Sequence, residues 1–450
     1  MRPKSKRRPV VLYQPRDVGA WMPLGLLALG SHLSGEHVVV VDGRFDLAPE
    51  ARVAELAPQA SCLGVTVRTG PPLRDALRVS AAARAVNPRL TIVWGGAHAT
   101  HAPLSCLATG VVDACARGAG EEVLAAAVLA GRDGGSLAGV RGLLVKGGTM
   151  LPPEPPPEAE GAARALYSLL DVERHFEARG KRRLDYCSSR GTREGVFRGL
   201  GADRVLAELG ELAERHRLSE VAFRDEDFFA DRGRADAIAA SLVETPVRFG
   251  WRVALRPDDV LDGGPARLEL LRRSRCRKLC VGVPPDVPAG GPLRDRILEA
   301  AARLHEAGFA ARFELAVSEP GPRFQGLAAM VSLARKLSAL DHRFETPLRR
   351  LSALPPIVHA GEDEGGLEAW VVRAEAPWPD PHAERRLRRA SFYLAEGQRT
   401  PGRRLSKHLL RTLALLRVRL GFFGLDLERG AVEASSLLRT GRPRAAPSLD

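Results

Sequence analysis

Short apolar runs of strand length alternate with helix-length segments along most of this chain, and this pattern limits the fold more than any other feature. In the N-terminal third the apolar runs are rich in β-branched residues, and they occupy residues 9–13, 37–42, 62–67, 90–96 and 111–116. Strands that are apolar on both faces are typical of a parallel sheet covered by helices on both sides. The pattern predicts an α/β fold, with a doubly wound, Rossmann-like sheet over residues 1–150.

A proline-rich acidic segment, LPPEPPPEAE at residues 151–160, divides the chain. It predicts an extended linker, and we assign residues 151–182 to this linker and a bridging helix. Strand and helix patterns then alternate again over residues 183–345, in units of roughly 30 to 45 residues, which predicts a partial (β/α)6 TIM-like barrel. Residues 346–450 are predicted to be a C-terminal helical region with a disordered tail.

The second helix predicted in the C-terminal region has an apolar face that Arg411, Arg417 and Arg419 interrupt. Two interpretations of this helix stay open. It could dock on the predicted barrel, or it could contact a partner or a membrane surface.

The chain of 450 residues carries a formal charge of +13, from 67 basic and 54 acidic residues. Only seven of the basic residues are lysine, so the excess is arginine spread along the whole chain. A nucleic-acid surface would produce such a charge, and so would an arginine-rich coding bias. The aromatic residues do not interleave with a basic face, and we therefore expect no nucleic-acid partner.

Six scattered cysteines are too few for a disulfide framework in a chain of this length. This usage predicts a reducing, cytoplasmic location. No apolar run reaches the ~18 residues of a membrane span, and the start of the chain does not resemble a secretory signal. Cys276 and Cys280 form a C-x3-C pair within an apolar run, which is either a metal pair or, as we expect, part of the core.

Polar and glycine residues follow four strands of the first predicted sheet. Since ligands of doubly wound folds bind beyond the carboxyl ends of the strands, these residues are candidates for cofactor binding. Glycines there would let backbone approach a ligand closely. The candidate residues are Pro23, Leu24, Gly25, Thr66, Thr69, Gly70, Gly95, Gly96, His98, Gly118, Gly120 and Glu121.

The four strand ends read PLGLLALG, GVTVRTG, GGAH and GAGEE, and in this order they resemble the cobalamin (B12)-binding domain of B12-dependent radical S-adenosylmethionine (radical SAM) enzymes. The resemblance implies a corrinoid that lies over the sheet, with its nucleotide tail beside the third and fourth strands. Thr66 and Thr69 would bond the tail, and Gly95 and Gly96 would give it room. The alternative is a flavodoxin-like sheet that binds another nucleotide or no ligand.

Other B12 proteins supply a lower cobalt ligand from an Asp-x-His-x-x-Gly loop after the first strand. Here that stretch reads QPRDVGAW and contains no histidine. The resemblance therefore implies a cobalt without that ligand. His98 is the nearest candidate by motif, and a hydrogen-bonding or structural histidine is the interpretation that we favour.

The segment LDYCSSRGTREGVFRGL, residues 184–200, resembles the cluster-binding loop of radical SAM enzymes, in which Cys-x3-Cys-x2-Cys binds a 4Fe–4S cluster. Thr192, Val196 and Gly199 stand at the three cysteine positions, and none of them can supply a thiolate. The resemblance implies a 4Fe–4S cluster and S-adenosylmethionine as cofactors, and these substitutions predict that the cluster is absent. We predict no residues for a metal site.

Further motifs of the radical SAM barrel follow in order, namely FRDEDFF, WRVALRPDDV and LRRSRCRKLCVGV. Two of the later strand ends depart from the family: Pro284 replaces a glutamate, and residues 319–321 keep only the composition of a glycine-proline turn. These losses predict that S-adenosylmethionine is not bound either. Asp225, Glu226 and Arg256 remain as candidate catalytic residues, either as an acid–base pocket or as a retained hydrogen-bond network at the strand ends.

Two classes of function follow from the resemblance. The protein could be an enzyme, or part of one, that uses the corrinoid for methyl transfer or a related modification of an unknown small-molecule or peptide substrate. Alternatively, it could be a non-catalytic cobalamin-binding partner of an intact radical SAM protein.

Overall fold

The structure is a computed structural model. It describes residues 8–17, 21–33, 35–132, 135–148, 151–152, 165–246, 248–318, 325–350, 367, 381–398, 410–414 and 416–417. The chain divides into two compact units, and each is described by itself. Unit 1 comprises Met1–Gly180, Ala353–Ala376 and Asp450, and unit 2 comprises Lys181–Ser352 and Pro377–Leu449.

Unit 1 contains a six-stranded sheet in the order β2-β1-β3-β4-β5-β6. Neighbouring strands are parallel except for β5 and β6, which are antiparallel. The strands are β1 (Val10–Gln14), β2 (Val38–Asp42), β3 (Cys62–Thr66), β4 (Thr91–Gly95), β5 (Ala114–Ala116) and β6 (Leu143–Val145). This order places the reversal of strand order, the topological switch point, between β1 and β3, where doubly wound folds bind their ligands.

Helices cover both faces of this sheet, because its strands are apolar on both sides. Val11 and Leu63 pack in one buried cluster, whereas Val10 and Cys62, one residue earlier on the same strands, pack in another. The helices are α1 (Leu24–His32), α2 (Pro49–Leu56), α3 (Pro72–Val86), α4 (Ala97–His101), α5 (Pro103–Leu107), α6 (Glu121–Arg132) and α7 (Val172–Arg179).

The prediction of a parallel α/β sheet in the N-terminal region is confirmed, with two differences in detail. The predicted strand at residues 111–116 is shorter, because the side chain of Asp113 accepts hydrogen bonds from Ile92 N and from Arg84, at 2.7 Å each. The antiparallel edge strand β6 was not predicted from the sequence. It has only three residues and carries no turn signal that marks it as a partner of β5.

Unit 2 contains a second six-stranded sheet, in the order β14-β13-β12-β11-β10-β7, and all of its neighbouring strands are parallel. Apart from the small hairpin of β8 (Ser189–Arg190) and β9 (Arg198–Gly199), sequence order and spatial order agree. The strands of the sheet are β7 (Arg183–Tyr186), β10 (Glu220–Phe223), β11 (Gly250–Leu255), β12 (Cys276–Gly282), β13 (Ala311–Val317) and β14 (Leu348–Arg350). The prediction of repeated βα units in this region is therefore confirmed.

The helices of unit 2 connect consecutive strands of this sheet. Right-handed crossovers between strands in sequential order place all connecting helices on one face of a sheet. The helices are α8 (Ala202–His216), α9 (Arg232–Glu244), α10 (Pro257–Arg273), α11 (Pro292–Glu306) and α12 (Gln325–Leu340), and α13 (Pro381–Gln398) follows in the C-terminal region. No connecting helix among the described residues lies on the other face of the sheet.

Helix α10 begins at Pro257, within the segment WRVALRPDDV that resembles a motif of the radical SAM barrel. Pro257 stands in its first turn, where proline is well tolerated, and Asp259 accepts a hydrogen bond from Arg256 N at 2.9 Å. The helix kinks at Gly264, which has a φ of 63° before Pro265. The kink hides the first half of the helix from a pattern search, because glycine and proline normally end helices.

Three of the predicted segments lie wholly or largely outside the described residues. They are the acidic linker at 151–160, the strand end at 319–321 and the second C-terminal helix with the tail that follows it. Among the described residues, no helix is long and apolar enough to cross a membrane.

Candidate functional site

The third and fourth strands of the first sheet end together at its carboxyl edge. Thr66 pairs with Gly95 in the register of β3 and β4, and Val67 N donates to Gly95 O at 2.7 Å. Gly96 begins α4 with a φ of +93°, a conformation that a residue with a side chain rarely adopts. The structure therefore brings Thr66, Gly95 and Gly96 together, as the candidate cofactor site requires.

The glycines at this edge differ in what surrounds them. A Cβ atom at Gly96 would lie 2.9 Å from both Thr66 Oγ1 and Val67 O, so this glycine is required by the fold itself. A Cβ atom at Gly95 would meet only Ala116, in ordinary van der Waals contact at 3.7 Å. Gly25 and Gly118 have nothing within 4 Å of a Cβ position. These three glycines leave open space beyond the strand ends, as a bound cofactor would need.

His98 is buried and hydrogen-bonded through both nitrogens of its ring. Nδ1 lies 3.0 Å from Thr69 Oγ1, and Nε2 lies 3.2 Å from Ser105 Oγ. The residue has no exposed surface. One of these hydrogen bonds would have to break before His98 could bind cobalt, and this geometry is that of a structural histidine that orients Thr69.

The fifth strand of the first sheet leads into Gly118 and Gly120 at the start of α6. Gly118 has a φ of +79° and donates its N–H to Thr100 Oγ1 at 3.3 Å. A Cβ atom at Gly120 would lie 3.3 Å from Leu29 of α1. Glu121, in the first turn of α6, is buried. Thr100 was not among the residues predicted from the sequence, because only the fold brings it to this turn.

The candidate cofactor residues form two groups by accessibility. Pro23, Gly70, His98 and Glu121 are buried, so they shape the edge from below. The remaining eight have surface that a ligand could contact, and they are Leu24, Gly25, Thr66, Thr69, Gly95, Gly96, Gly118 and Gly120.

A cation–aromatic pair lies at the same edge, and its two residues were not among the site residues predicted from the sequence. The guanidinium of Arg68, just beyond β3, is 5.6 Å from the ring centre of Trp21, and Arg68 also forms an ion pair with Asp17. These contacts hold the segment before α1 against the end of β3, and they border the candidate cofactor site.

In unit 2, the loop after β7 folds into a two-stranded hairpin, β8 (Ser189–Arg190) with β9 (Arg198–Gly199). Gly191, with a φ of +78°, turns the chain so tightly that a Cβ atom would lie 2.0 Å from Val196 O. Val196 points largely into solvent, with an exposed fraction of 69%. The hairpin was not predicted from the sequence, since the segment has no alternating apolar pattern.

Arg193 lies between Thr192 and Val196 and binds two buried carboxylates. It donates from Nε and Nη2 to Asp227 at 2.8 and 2.6 Å, and from Nη1 and Nη2 to Asp259 at 2.9 and 3.0 Å. The side chains of Asp227 and Asp259 are 3% and 1% exposed. Burial alone would raise the pKa of Asp227, but the hydrogen bonds from Arg193 hold it below its ordinary value.

Arg256 joins the same arrangement from the N-terminus of α10. It donates to Asp227 at 3.0 Å and to Glu194 of the hairpin, and this contact lowers the pKa of the Glu194 carboxyl to about 2. We call the five residues Arg193, Glu194, Asp227, Arg256 and Asp259 the Arg193 network. Arg256, one of the predicted catalytic residues, thus donates its hydrogen bonds to carboxylates of this network.

Asp225 is a second buried carboxylate at the end of β10. Its Oδ1 accepts hydrogen bonds from Ser188 N at 3.1 Å, Ser188 Oγ at 2.7 Å and Ser189 Oγ at 2.5 Å. Its Oδ2 is buried without a hydrogen-bond partner among the described residues. Burial outweighs these hydrogen bonds and raises the pKa of Asp225. The predicted candidate Glu226 is exposed, so the three catalytic candidates do not converge on one point.

Arg234 anchors the loop from the side of α9. It donates to Leu200 O at 2.7 Å and to Ser188 O at 2.8 Å, and it also contacts Ser188 Oγ. A Cβ atom at Gly199 would lie 2.5 Å from Arg234 Nε. The side chain of Arg234 therefore occupies the space beside Gly199, the third of the positions compared above with the cysteines of the radical SAM motif.

Thiols near this loop do not form a cluster site among the described residues. Burial raises the pKa of Cys187 to about 12, and its Sγ contacts Ser189 O at 3.0 Å. Cys276 is buried in β12, and burial raises its pKa. Cys280 lies four residues later in the same strand. No group of three or more potential metal ligands occurs in the part of the chain that the structure describes. These residues therefore do not fit a cysteine-bound 4Fe–4S cluster.

Comparisons with known proteins agree with the assignment of the first sheet. Residues 17–128 match the family model described as the B12 binding domain. A curated relative, an uncharacterized methyltransferase of Pyrococcus horikoshii, is 27% identical over 253 residues, which cover 52% of this chain and 55% of that protein. The chain therefore spans about half the length of the curated relative it matches.

Solved structures share the fold over most of this chain. The radical S-adenosylmethionine methyltransferase TsrM from Kitasatospora setae, with tryptophan substrate and a SAM analogue bound, is 19% identical with a TM-score of 0.61, over 76% of this chain and 72% of that chain. The cobalamin-dependent S-adenosylmethionine radical enzyme OxsB, with aqua-cobalamin and S-adenosylmethionine bound, is 14% identical with a TM-score of 0.60, over 82% and 55%. At these identities the likeness shows the fold alone.

Proposed function

We propose that this protein binds cobalamin and serves B12-dependent methyl transfer or a related modification without an iron–sulfur cluster. Residues 17–128 match the B12 binding domain, and the chain has the fold of cobalamin-dependent radical SAM enzymes. The observation that carries the proposal is the open carboxyl edge of the first sheet. There Gly25, Gly95 and Gly118 leave space at the places where the family model matches.

The residues at this edge would divide the work of holding the cofactor. Thr66 and Thr69 would bond the nucleotide tail through their hydroxyl groups, with Thr69 oriented by its contact with His98. Gly95 would give the tail room, and the backbone near Gly118 would border the corrin ring. Bound cobalamin would supply a cobalt centre that can carry a methyl group.

The absence of a cluster in unit 2 is the second part of the proposal. Three observations support it: the cysteine positions hold Thr192, Val196 and Gly199, the Cβ space at Gly199 is filled by Arg234, and Arg193 is bonded to two carboxylates. A loop in this arrangement does not present three thiolates to iron. The second sheet would then act as a partial TIM-like barrel without the cofactor chemistry of its relatives.

A second candidate function is a cobalamin-holding partner for an intact radical SAM protein. The Arg193 network favours it, because the network fills the strand ends where a radical enzyme would place its cofactors. A purified protein that transfers the methyl group of methylcobalamin to an acceptor would favour the enzyme. Methyl transfer that requires an added cluster-containing protein would favour the partner.

Retention of cobalamin tests the proposal directly. Full-length protein mixed with hydroxocobalamin should keep the red pigment through gel filtration. Gly95→Val should abolish this retention while leaving the melting temperature unchanged, since a Cβ atom there meets only Ala116. A colourless wild-type protein would overturn the cobalamin proposal.

Two further variants make this test specific. Gly139→Val places the same side chain at an exposed glycine of unit 1 with nothing within 4 Å, so it should bind cobalamin like the wild type. Gly96→Val should lose cobalamin and also lower the melting temperature, because its positive φ and its contact with Val67 O strain the fold. Equal behaviour of Gly95→Val and Gly139→Val would contradict the assigned position of the tail.

A further inference from the structure

The face of the second sheet that carries no connecting helix is charged rather than apolar. Along β10 to β13 the residues of this face include Glu220, Arg252, Lys278, Arg312 and Glu314, and they alternate with buried apolar residues that face the helices. We call these five residues and their ion-pair partners the charged face. No residue of the candidate cofactor site or of the Arg193 network belongs to it.

Cations outnumber carboxylates within this charged face. Glu220 pairs with three cations, and Glu314 and Glu345 share three more. The cations are Lys181, Arg183, Arg252, Lys278, Arg312 and Arg349. Six cations against three carboxylates leave an excess of three positive charges among the described residues.

Two of these cations stand opposite each other on neighbouring strands. Arg252 and Lys278 are Cα partners in the register of β11 and β12, a pairing that is unfavourable for like charges. Arg252 Nε donates a hydrogen bond to Glu220 at 2.5 Å, and Lys278 Nζ donates one to Glu345 at 2.6 Å. Their carboxylate partners therefore lie on opposite sides, and no described carboxylate bridges the two cations.

The thiol of Cys280 reports on the same field. Burial, with a smaller contribution from Glu314, raises the pKa of this thiol, whereas the charges of Lys278, Arg252 and Arg312 act in the opposite direction. Three cations thus act on one strand position, next to a half-buried side chain. Partly buried charges are screened weakly, so their field attracts an anion more strongly than surface charges do.

Space for a ligand exists at the carboxyl half of the same face. Ala254 and Gly282 are exposed, although both lie within strands of the sheet. A Cβ atom at Gly282 would meet only Leu255 O, at 3.8 Å. Small residues therefore leave room above the charges, over β11 and β12.

We propose that this face binds a small molecule with two or more negative charges, carried by carboxylate or phosphate groups, between Arg252, Lys278 and Arg312. Such an anion would offset the repulsion between the two facing cations and accept hydrogen bonds from their remaining donors. The site lies within unit 2 and does not depend on the proposed binding of cobalamin, so either proposal can fail without the other.

Calorimetric titration of the full-length protein with pyrophosphate and with citrate tests this inference, in the absence of cobalamin and at an ionic strength held constant with sodium chloride. Wild-type protein should bind at least one of the two ions, and Lys278→Met should weaken that binding about tenfold through the loss of one charge. Gly282→Glu, which adds a negative charge in open space, should weaken it further. A preference for pyrophosphate would assign phosphate as the ligand group, and a preference for citrate would assign carboxylate.

Matched controls separate the site from general charge effects. Lys336→Met removes the same charge from the exposed side of α12, and Gly282→Ala adds only a methyl group, so both should bind like the wild type. Binding of neither ion above the sodium chloride baseline would overturn the inference. Binding that survives in both Lys278→Met and Gly282→Glu would also overturn it. If Lys278→Met fails to fold, the pair of Gly282 variants still decides the outcome.

Discussion

Each of the two sheets is made mainly of parallel strands and has a carboxyl edge where the strands end, but the residues at the two edges differ in kind. At the first edge, Gly25, Gly95 and Gly118 keep space free beyond the strands. At the second edge, the Arg193 network brings charged side chains from the hairpin, from the end of β10 and from α10 together. The first edge leaves space beyond its strands, whereas at the second edge the charged groups of the Arg193 network pair with one another.

The contrast shows how the charged groups at the end of a strand can be stabilised by the protein itself. Buried carboxylates such as Asp227 and Asp259 are unfavourable without a cation nearby. At the second edge, Arg193 supplies that charge from within the loop itself. An internal arginine therefore neutralises carboxylates that the loop brings together.

The largest expected effect concerns iron. Chemically reconstituted wild-type protein should show no iron–sulfur absorbance, and the triple variant Thr192→Cys, Val196→Cys, Gly199→Cys should show none either. At Gly199 a Cβ atom would lie 2.5 Å from Arg234 Nε, so the third thiol cannot reach its place without displacing an anchored side chain. Absorption spectroscopy and iron analysis of anaerobically prepared protein provide the measurement.

Each result of the iron experiment has a definite meaning. Iron at one cluster per chain in the wild type would contradict our interpretation of the loop. Iron in the triple variant alone would show that only the cysteines were lost and that the Arg193 network does not block the site. An intact radical SAM protein, reconstituted in parallel as a positive control, establishes that the procedure loads a cluster.

The first edge could be predicted from the sequence to a greater extent than the second. Its candidates follow strands that apolar runs mark clearly, so Thr66 and Gly95 fall where the pattern places them. The second edge depends on contacts between distant segments. The pairing of Arg193 with Asp259 joins residues 66 positions apart, and α10 begins where the sequence predicts a strand end. Local patterns carry no information about such pairs.

The candidate catalytic residues illustrate the same limit. Asp225, Glu226 and Arg256 follow neighbouring strands, which is why the sequence groups them. In the structure Asp225 is buried below the loop, Glu226 is exposed and Arg256 is bonded to Glu194. Successive side chains point to alternate faces only within a regular strand, and these residues lie beyond the strand ends. Their adjacency in sequence therefore did not predict a common direction for the side chains.

A stability measurement tests whether the Arg193 network holds the second edge together. Arg193→Met would leave Asp259 with only Arg232, at 3.9 Å, and Asp227 with Arg256 alone, and breaking such a buried pair costs about 3 kcal/mol of unfolding free energy. Urea denaturation of the full-length protein should show this loss. Arg198→Met is the matched control, because Arg198 lies in the same hairpin and makes no ion pair with a described residue. A loss below about 1 kcal/mol for Arg193→Met would show that the network is dispensable.

The smallest effect is a dependence on pH at Asp225. Its pKa is raised by burial, so the folded state keeps a proton that an unfolded chain loses above about pH 4. Stability contributed by the protonated form is complete below the unfolded pKa and is lost as the pH rises through the folded one. Asp225→Asn keeps an oxygen for Ser188 and Ser189 but cannot ionise. Its melting temperature relative to the wild type should therefore rise as the pH increases above about pH 4.

Thermal unfolding at several pH values checks this expectation, with Asp258→Asn as a control at an exposed carboxylate on the surface of α10. Only the Asp225 variant should gain on the wild type as the pH rises. A difference that stays constant or shrinks would mean that Asp225 is ionised in the folded protein, balanced by Arg234 across Ser188. In that case the second edge would contain two internally paired arginine sites rather than one, and its contrast with the open first edge would become sharper.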